Sequence, residues 1–388
     1  TTLDNPAGGT ASVSTALPSV QGFSVNYQTP YTMQYSLDVQ QAVTSTWMLD
    51  VGYFGSMSRH LEGVVDRNTL QPGSFLSKGL SQYGVCAGGF TSTTCEQQLN
   101  QIRPYPGYLN VNITSTIFTA NYNGLQVKTT KKFSGQSYFD ANYTWSRALT
   151  NAINDYSTAP QNVYNINGDY GRAVYDRTNI LTFDGVYELP WYRDQKGVAG
   201  HLIGGWELTG LYTINSGLPL TVTLSSAGGT ICYACTTTAT QTSVLGLPNG
   251  GVANDSAGLG IMNSPDPASL RPNQVMNPNN GYGQQIHTRL NWFYRPAFVS
   301  PTAAAVQVGN EKRGAINGPG YNRLDMGVFR NFKIHEGITF QLRGEAFNLA
   351  NHTNFQAVGT TGTTATSFGQ VTSARDNRIL QVAGKVTF

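Results

Sequence analysis

A two-residue alternation in the last segment of the chain is the feature that most constrains the fold. In residues 377–388, apolar or small side chains share one face of an extended segment, and the positions between them are mostly polar. This period of two predicts a β-strand with two different faces. The segment stops at an aromatic residue, as expected for the closing strand of a transmembrane β-barrel, whose signature residues would be Leu380, Val382, Val386 and Phe388. A soluble β-sandwich can end in the same way, so the choice between the two folds depends on other segments.

The same alternation recurs along the chain, and it predicts nine strands in total. The lengths of these segments match the roughly 9–11 residues with which a tilted strand crosses a bilayer. The predicted strands cover 31–41, 46–54, 124–133, 138–146, 179–189, 206–214, 324–332, 338–346 and 377–388.

The connections between these segments alternate in length, and this is the strongest signal in the sequence. Short turns are predicted near 42–44, 134–136 and 335–337, with a medium one at 190–203. Long loops are predicted at 56–120, 148–177, 216–321 and 350–376. Outer-membrane barrels have short periplasmic turns and long extracellular loops, whereas a soluble sandwich has no reason to place all its long loops at one end.

Composition agrees with strands that have one apolar face and one uncharged polar face. Charged residues make up 12% of the chain, about half the roughly 25% of soluble domains, yet the mean hydropathy is only −0.26. A turn-rich secreted all-β protein would have a similar composition. The net charge of +3 comes without a run of Lys or Arg, so the sequence predicts no nucleic-acid partner. No apolar stretch approaches the roughly 18 residues of a transmembrane helix.

The predicted fold class is therefore all-β, an antiparallel up-and-down transmembrane β-barrel with long extracellular loops. Nine strands are an odd number, so 31–41 and 377–388 would run in the same direction. Bacterial barrels close with antiparallel strands, and we therefore expect about 9–10 strands of a larger barrel. Residues 377–388 should then have an unpaired edge or pair irregularly with 1–30, which reads as a loop or linker.

The four cysteines form two local pairs, Cys86 with Cys95 and Cys232 with Cys235. Local, even pairing favours small disulfides in an oxidising compartment. The Cys232–Cys235 spacing also occurs in zinc and redox sites, but a second CxxC motif and a nearby His are missing from the sequence.

Charged residues on the polar faces of predicted strands are the candidate site residues. They would solvate a barrel lumen, pair across strands or line a substrate path, and Arg343 and Glu345 would be close enough for a lumenal charge network. The ten candidates are Asp38, Asp50, Lys128, Asp140, Asp184, Glu207, Asp325, Arg343, Glu345 and Lys385.

The sequence predicts no catalytic, metal or cofactor site. The histidines (His60, His201, His287, His335 and His352) are scattered, and none has an i+4 or metal-spaced partner. His60 and His352 would lie near the rim of the barrel, but no nucleophile motif is beside either. Asp169, Asp176 and Asp184 lack the dense spacing of a calcium loop.

Several motifs taken together resemble the C-terminal barrel region of TonB-dependent outer-membrane receptors, most closely the Oar-like subgroup with a carboxypeptidase-regulatory-like domain. The resemblance covers about residues 28–388. Its motifs are YSLDVQQ at 35–41, VGYFGS at 51–56, YNGLQV at 122–127, YTWSR at 143–147, GGWEL at 204–208, SGLP at 216–219 and RGEAFNL at 343–349.

The resemblance implies a receptor barrel that captures an unidentified extracellular ligand without covalent chemistry, in the outer membrane of a Gram-negative-type bacterium. It implies contacts with outer-membrane lipid and with the barrel-assembly machinery through the C-terminal strand. The family's plug domain and TonB box are not visible in residues 1–388, so TonB contact would come from missing N-terminal parts. The alternative is a secreted or surface β-rich adhesin or carbohydrate-binding protein, which would bury Trp47, Tyr143, Trp145 and Trp206 in a core.

Overall fold

Nine long strands form the frame of the protein in a computed structural model. The structure describes residues 18–69, 103–108, 110–152, 160–192, 195–223, 271–299, 308–335, 337–361 and 366–388. Among these residues, short strands, one short α-helix and two 3-10 turns complete the elements. The long strands are β2 (Tyr31–Thr44), β3 (Trp47–Asp66), β4 (Val111–Lys132), β5 (Tyr138–Thr150), β7 (Asn179–Glu188), β8 (Trp206–Asn215), β13 (Tyr321–His335), β14 (Ile338–Phe347) and β17 (Ile379–Thr387).

The short elements are not steps of this meander, although β1 and β6 join its sheet beside β4 and β5. They are β1 (Val20–Phe23), β6 (Gly171–Arg172), β9 (Pro219–Leu220), β10 (Asn273–Gln274), β11 (Phe298–Val299), β12 (Ile316–Asn317), β15 (Phe355–Val358), β16 (Val371–Ala374), the helix α1 (Gly197–Ile203) and two 3-10 turns at Ile166–Asp169 and Arg295–Ala297. Among the described residues, no helix is long and apolar enough to cross a membrane.

The long strands are antiparallel, and each pairs with the next long strand along the chain, so the sheet is an up-and-down meander. The sheet remains open: in the described part of the chain, β17 pairs with β14 alone, and β2 pairs with β3 alone. β1 lies parallel to β4 and does not close the ring. The predicted strand count and the unpaired edge at β17 are both confirmed.

The predicted alternation of connections is also confirmed. The four long loops, 67–110, 151–178, 216–320 and 348–378, all leave the same end of the sheet, and the turns at 45–46, 133–137, 189–205 and 336–337 lie at the other. The medium connection 189–205 contains α1.

The first long loop is shorter than predicted, because β3 and β4 extend far into 56–120. The alternation is interrupted there: register shifts between Ser58 and Leu61, and between Leu61 and Gly63, move the following side chains relative to the sheet. His60 has a positive φ of 55° within this irregularity. A strict period-two reading therefore ends near the bulge although the hairpin continues.

Strand register sorts the side chains of the whole sheet into two faces, since residues directly opposite each other share a face. One residue on each long strand serves to define the apolar face, and every second residue from it along that strand lies on the same face. These reference residues, in strand order, are Val39, Val51, Val127, Tyr143, Leu181, Ile214, Asn322, Gly344 and Val382. The polar face carries the residues between them.

Four aromatic residues decide between a membrane barrel and a soluble sandwich. Trp47, Tyr143, Trp145 and Trp206 all lie on the apolar face, and no second sheet among the described residues covers it. Trp47 is 42% exposed and Trp145 is 53% exposed. A sandwich core would bury them, so this arrangement is that of an outward aromatic band.

A hydrophobic core cluster lies among the described parts of the long loops. We call the described parts of the four long loops the loop cap. Its core joins residues of 216–320 to residues of 348–378, and comprises Val222, Trp292, Phe293, Ala297, Phe298, Ile316, Val358 and Phe368. Phe293 makes edge-on contacts with Phe298 and Phe368 at ring distances of 5.7 and 5.2 Å. The loops predicted as irregular are thus a packed unit.

Candidate functional site

All ten charged candidates lie on the polar face of the sheet by register: Asp38, Asp50, Lys128, Asp140, Asp184, Glu207, Asp325, Arg343, Glu345 and Lys385. Asp50 lies directly opposite Lys128, an arrangement that favours cross-strand attraction. Asp140 and Asp184 are also directly opposite each other, which places two acids side by side.

The proposed charge network between Arg343 and Glu345 is not formed as an ion pair among the described residues. The Arg343 Nε donates to Gln341 Oε1 at 2.5 Å, and the guanidinium lies 5.5 Å from the Phe329 ring. Asp325 is more firmly held, since its Oδ1 accepts from Arg323 Nε at 2.6 Å and from the Asn348 backbone N at 2.8 Å.

The C-terminal signature residues Leu380, Val382 and Val386 share the apolar face and are exposed, as is Phe388 just beyond β17. The cysteines Cys86, Cys95, Cys232 and Cys235 lie outside the described residues. In the described part of the chain, no group of three or more His, Cys, Asp or Glu side chains is arranged to hold a metal ion.

Hydrogen bonds tie the four long loops to one another. The Tyr164 hydroxyl donates to the Thr69 carbonyl at 2.8 Å, and Gln161 Nε2 donates to the Gly309 carbonyl at 2.7 Å. Thr223 bonds Thr361 through their hydroxyls at 3.0 Å. Each contact joins one long loop to the next, so the loop cap is continuous around this end of the sheet.

A buried polar cluster lies at the centre of the loop cap. Arg271 forms an ion pair with Asp169 in which both side chains are almost fully buried, and its Nε donates to the Glu311 carbonyl at 2.9 Å. Gln161 accepts from the Arg271 backbone N at 2.8 Å, and its own backbone N donates to Asp169 Oδ2 at 2.9 Å. Asp169 is thus held by an arginine and does not serve as a free cation ligand.

Asp176, the second acid considered for calcium, is also neutralised by arginine. It lies 2.8 Å from Arg172 Nε and 3.6 Å from Arg147 Nη1, and its Oδ1 accepts from the Ala148 backbone N at 2.7 Å. Its role is to fasten the loop to β5.

Burial changes the pKa of two groups beside the cluster. Glu311 is 1% exposed, and burial raises its pKa to about 8, although a hydrogen bond from the Val222 backbone N and the charge of Arg271 oppose the rise. Its Oε2 has no hydrogen-bond partner among the described residues. Burial also lowers the pKa of Arg313 to about 10, with Asp169 opposing and Arg271 adding to the decrease. At neutral pH, Glu311 is therefore mostly neutral and Arg313 charged.

A polar cleft of about 600 Å³ opens beside this cluster. Side-chain amides dominate its wall, with one lysine and the buried arginine, and amides both donate and accept hydrogen bonds. The lining residues are Gln161, Asn162, Asn165, Asn167, Gly168, Asp169, Tyr170, Arg271, Val308, Gly309, Asn310 and Lys312. The arrangement can bind a polar ligand but brings no nucleophile and base together.

The cleft could not be predicted from the sequence, although Asp169, which lines it, stands out there as an acidic loop residue. Gln161 and Arg271, which line the cleft, and Glu311 beside it are far apart in sequence and meet only through the loop cap. The available signal was compositional, namely the amides at Asn162, Asn165 and Asn167.

The fold and the site define a membrane β-barrel segment of the outer-membrane type: an antiparallel meander with an outward apolar face, a polar opposite face and long loops at one end. The chain belongs to the outer membrane beta barrel domain family, whose family model matches residues 1–381. It is accordingly a protein of the outer membrane of a Gram-negative-type bacterium, and the loops lie on the extracellular side.

Solved structures of outer-membrane receptors and transporters are similar to this chain over part of their own length. The outer membrane transporter YddB from Escherichia coli matches at 6% identity and a TM-score of 0.46, over 96% of this chain and 34% of that one. The ferripyoverdine receptor of Pseudomonas aeruginosa matches at 8% identity and 0.38, over 92% and 27%. BauA, the ferric preacinetobactin receptor from Acinetobacter baumannii, matches at 9% identity and 0.38, over 92% and 29%.

The chain thus spans about a third or less of the length of these structures. A search of curated proteins finds no significant match.

Proposed function

We propose that this chain is the C-terminal barrel region of a TonB-dependent receptor of the Oar-like subgroup, which binds an extracellular ligand and takes it up. The observation that carries the proposal is the loop cap: four one-sided loops interlock above a membrane sheet and leave a polar cleft of about 600 Å³. Ordering four long loops costs conformational entropy. The packed loop cap therefore favours a ligand-binding surface over loops that only connect strands.

In this proposal the apolar face contacts membrane hydrocarbon and the polar face lines the lumen. The ten charged residues of that face, with Asp50 opposite Lys128 among them, would keep a ligand path hydrated. The strand β17, whose outer edge is unpaired in the described part of the chain, would present the terminal residues to the barrel-assembly machinery. We assign the contact with TonB to the whole protein. Binding and uptake of the ligand would involve no covalent step.

The test compares a strain that produces the protein with a deletion strain, each with and without functional TonB. Compounds removed from a complex culture medium are quantified by mass spectrometry. We expect one class of compound to be depleted only when both the protein and TonB are present. Replacing Asn165 and Asn167 together by Ala should reduce that depletion, since both line the cleft.

A protein that depletes the medium equally without TonB contradicts the TonB-dependent part of the proposal. An adhesin, the rival function, would leave the medium unchanged and alter only attachment of cells to surfaces.

A further inference from the structure

Arg330 is a charged residue on the apolar face of the sheet. It lies on β13 directly opposite Trp206 and Leu342, in line with Met326 and Val328 on the apolar face. Its guanidinium lies 5.1 Å from the Trp206 ring and 4.3 Å from the Phe332 ring. Charged side chains are rare on a lipid-facing surface, so one that lies there is a candidate for a specific contact.

The guanidinium of Arg330 has aromatic neighbours but no acid. Among the described residues it makes no hydrogen bond and no ion pair, and its Nε is buried without a hydrogen-bond partner. Its cross-strand neighbours Trp206 and Leu342 carry no negative charge. The two rings hold the fork in place, and its two Nη groups, which are not buried as Nε is, are left for an anion from outside the chain.

The position of Arg330 along the sheet is that of a membrane interface. Trp206 begins β8 directly after the medium connection 189–205, at the end of the sheet opposite the loop cap. In that connection, α1 exposes Val198 at 78% and Leu202 at 64%, and the Trp206 Nε1 donates to the Leu202 carbonyl at 3.3 Å. An aromatic residue beside exposed apolar side chains is typical of the headgroup level.

An apolar groove of about 460 Å³ lies further along the same face, towards the middle of the membrane. Its floor consists of Gly185 and Gly210, which are directly opposite each other, and a Cβ added at Gly210 would meet nothing within 4 Å. Phe183 and Tyr212 form one wall with stacked rings 6.4 Å apart, and Tyr187 and Leu208 line the other side.

The groove and the arginine are separated by a distance that one lipid can bridge. Met326, at the edge of the groove, is four residues from Arg330 along β13, or about 13 Å. One leaflet of a hydrocarbon core of about 30 Å is about 15 Å thick. A phosphate at Arg330 would therefore place an acyl chain within reach of the groove.

We propose that the apolar face binds a phospholipid of the periplasmic leaflet, with its phosphate on Arg330 and an acyl chain in the Gly185–Gly210 groove. The short-turn end of the sheet is the periplasmic end, and the leaflet on that side consists of phospholipid, whereas lipopolysaccharide occupies the outward leaflet. Arginine suits the phosphate because its planar fork donates two parallel hydrogen bonds. The inference depends on the apolar face contacting lipid, and it is independent of TonB and of the transported ligand.

The experiment is native mass spectrometry of the full protein, purified from outer membranes in mild detergent and titrated with phosphatidylglycerol. The wild type should retain one tightly bound lipid. Arg330→Gln should weaken this binding about tenfold, the loss expected for a hydrogen bond to a charged group. Arg330→Lys should bind with intermediate affinity, because it keeps the charge and loses the fork.

Two further variants separate the parts of the site. Gly210→Leu fills the groove and should weaken binding with Arg330 intact. Arg375→Gln is the matched control, since Arg375 also lies over an aromatic ring, that of Tyr321 at 5.0 Å, but at the loop end; it should bind as the wild type does. Retention of the folded barrel in cold detergent is checked for each variant, and Arg330→Lys replaces Arg330→Gln if the latter does not fold.

Equal lipid retention by the wild type, the Arg330 variants and Gly210→Leu would overturn the proposal. Preferential binding of lipopolysaccharide over phosphatidylglycerol at this site would also overturn it. Neither result bears on the receptor function, which is read from uptake.

Discussion

Arg271 and Asp169 form an ion pair at the centre of the loop cap, with side chains only 3% and 1% exposed. Arg271 belongs to the loop between β8 and β13, and Asp169 to the loop between β5 and β7. Two loops that are distant in sequence are therefore joined by a buried ion pair. Burying charges is costly unless both partners are present, so the pair makes the folding of one loop depend on the other.

Removing one partner of this pair should loosen the loop cap. Arg271→Met leaves the Asp169 carboxylate buried without its cation, and we expect a loss of about 3–5 kcal/mol. The double variant Asp169→Leu/Arg271→Met should be less destabilised than Arg271→Met, because no unpaired charge remains. Hydrogen exchange of the loop amides measures both effects.

The control for this prediction is Arg323→Met, whose pair with Asp325 is partly exposed at 32% and 22% and should change stability by about 1 kcal/mol or less. A double variant as unstable as the single one would contradict the charge argument and indicate lost packing.

Glu311 should make the loop cap less stable as the pH rises. Its folded-state pKa of about 8 lies above the ordinary value of 4.5, so between these values the folded form binds more protons than the unfolded form. The free energy of unfolding should then fall with increasing pH across this window, by up to about 1.4 kcal/mol per pH unit.

Glu311→Gln keeps an oxygen for the Val222 backbone N and removes the titration. It should be more stable than the wild type at pH 8 and equal to it below pH 4.5, as measured by protease resistance of the loops over that range. A constant difference between the two proteins at every pH would show that Glu311 does not titrate in this window.

The aromatic core should support the loop cap independently of the sheet. Phe293 is 1% exposed and contacts Phe298 and Phe368 edge-on. Phe293→Ala should cost about 3–5 kcal/mol and increase protease cleavage in 271–299, while the barrel strands remain protected. Tyr282→Ala is the matched control, since Tyr282 is an aromatic residue of the same segment with 47% exposure. Loss of protection in β2–β8 as well would contradict a separately packed cap.

The sheet could be predicted from the sequence and the loop cap could not, because their stabilising contacts differ in range. A strand with one lipid-facing side repeats its apolar residues every second position, so segments such as that of Leu181 and Phe183 reveal their faces locally. Trp292 and Phe355, in contrast, are in contact although they are more than 60 positions apart in the sequence. No periodic pattern of apolar residues predicts that contact.

Arg330 is an intermediate case between these two. The apolar stripe Leu324, Met326 and Val328 reads directly from the sequence, and a charge that interrupts such a stripe is itself a signal. What the sequence could not provide is the partner set: Trp206 is brought beside Arg330 by strand pairing, and the absence of an acid there becomes visible only in three dimensions.

The assignment of the two faces can be tested with neighbouring residues of one strand. Leu181 lies opposite Tyr143 and Ile214 on the apolar face, and Thr182 lies opposite Asn142 and Thr213 on the polar face. Arginine at a lipid-facing position is destabilising, by up to about 2–4 kcal/mol at the bilayer middle, whereas lumenal positions tolerate charge. Leu181→Arg should therefore reduce the yield of folded, heat-modifiable protein in outer membranes, and Thr182→Arg should leave it close to that of the wild type. The opposite ranking of these two variants would mean that the polar face, with Asp50 and Lys128, is the one turned towards lipid.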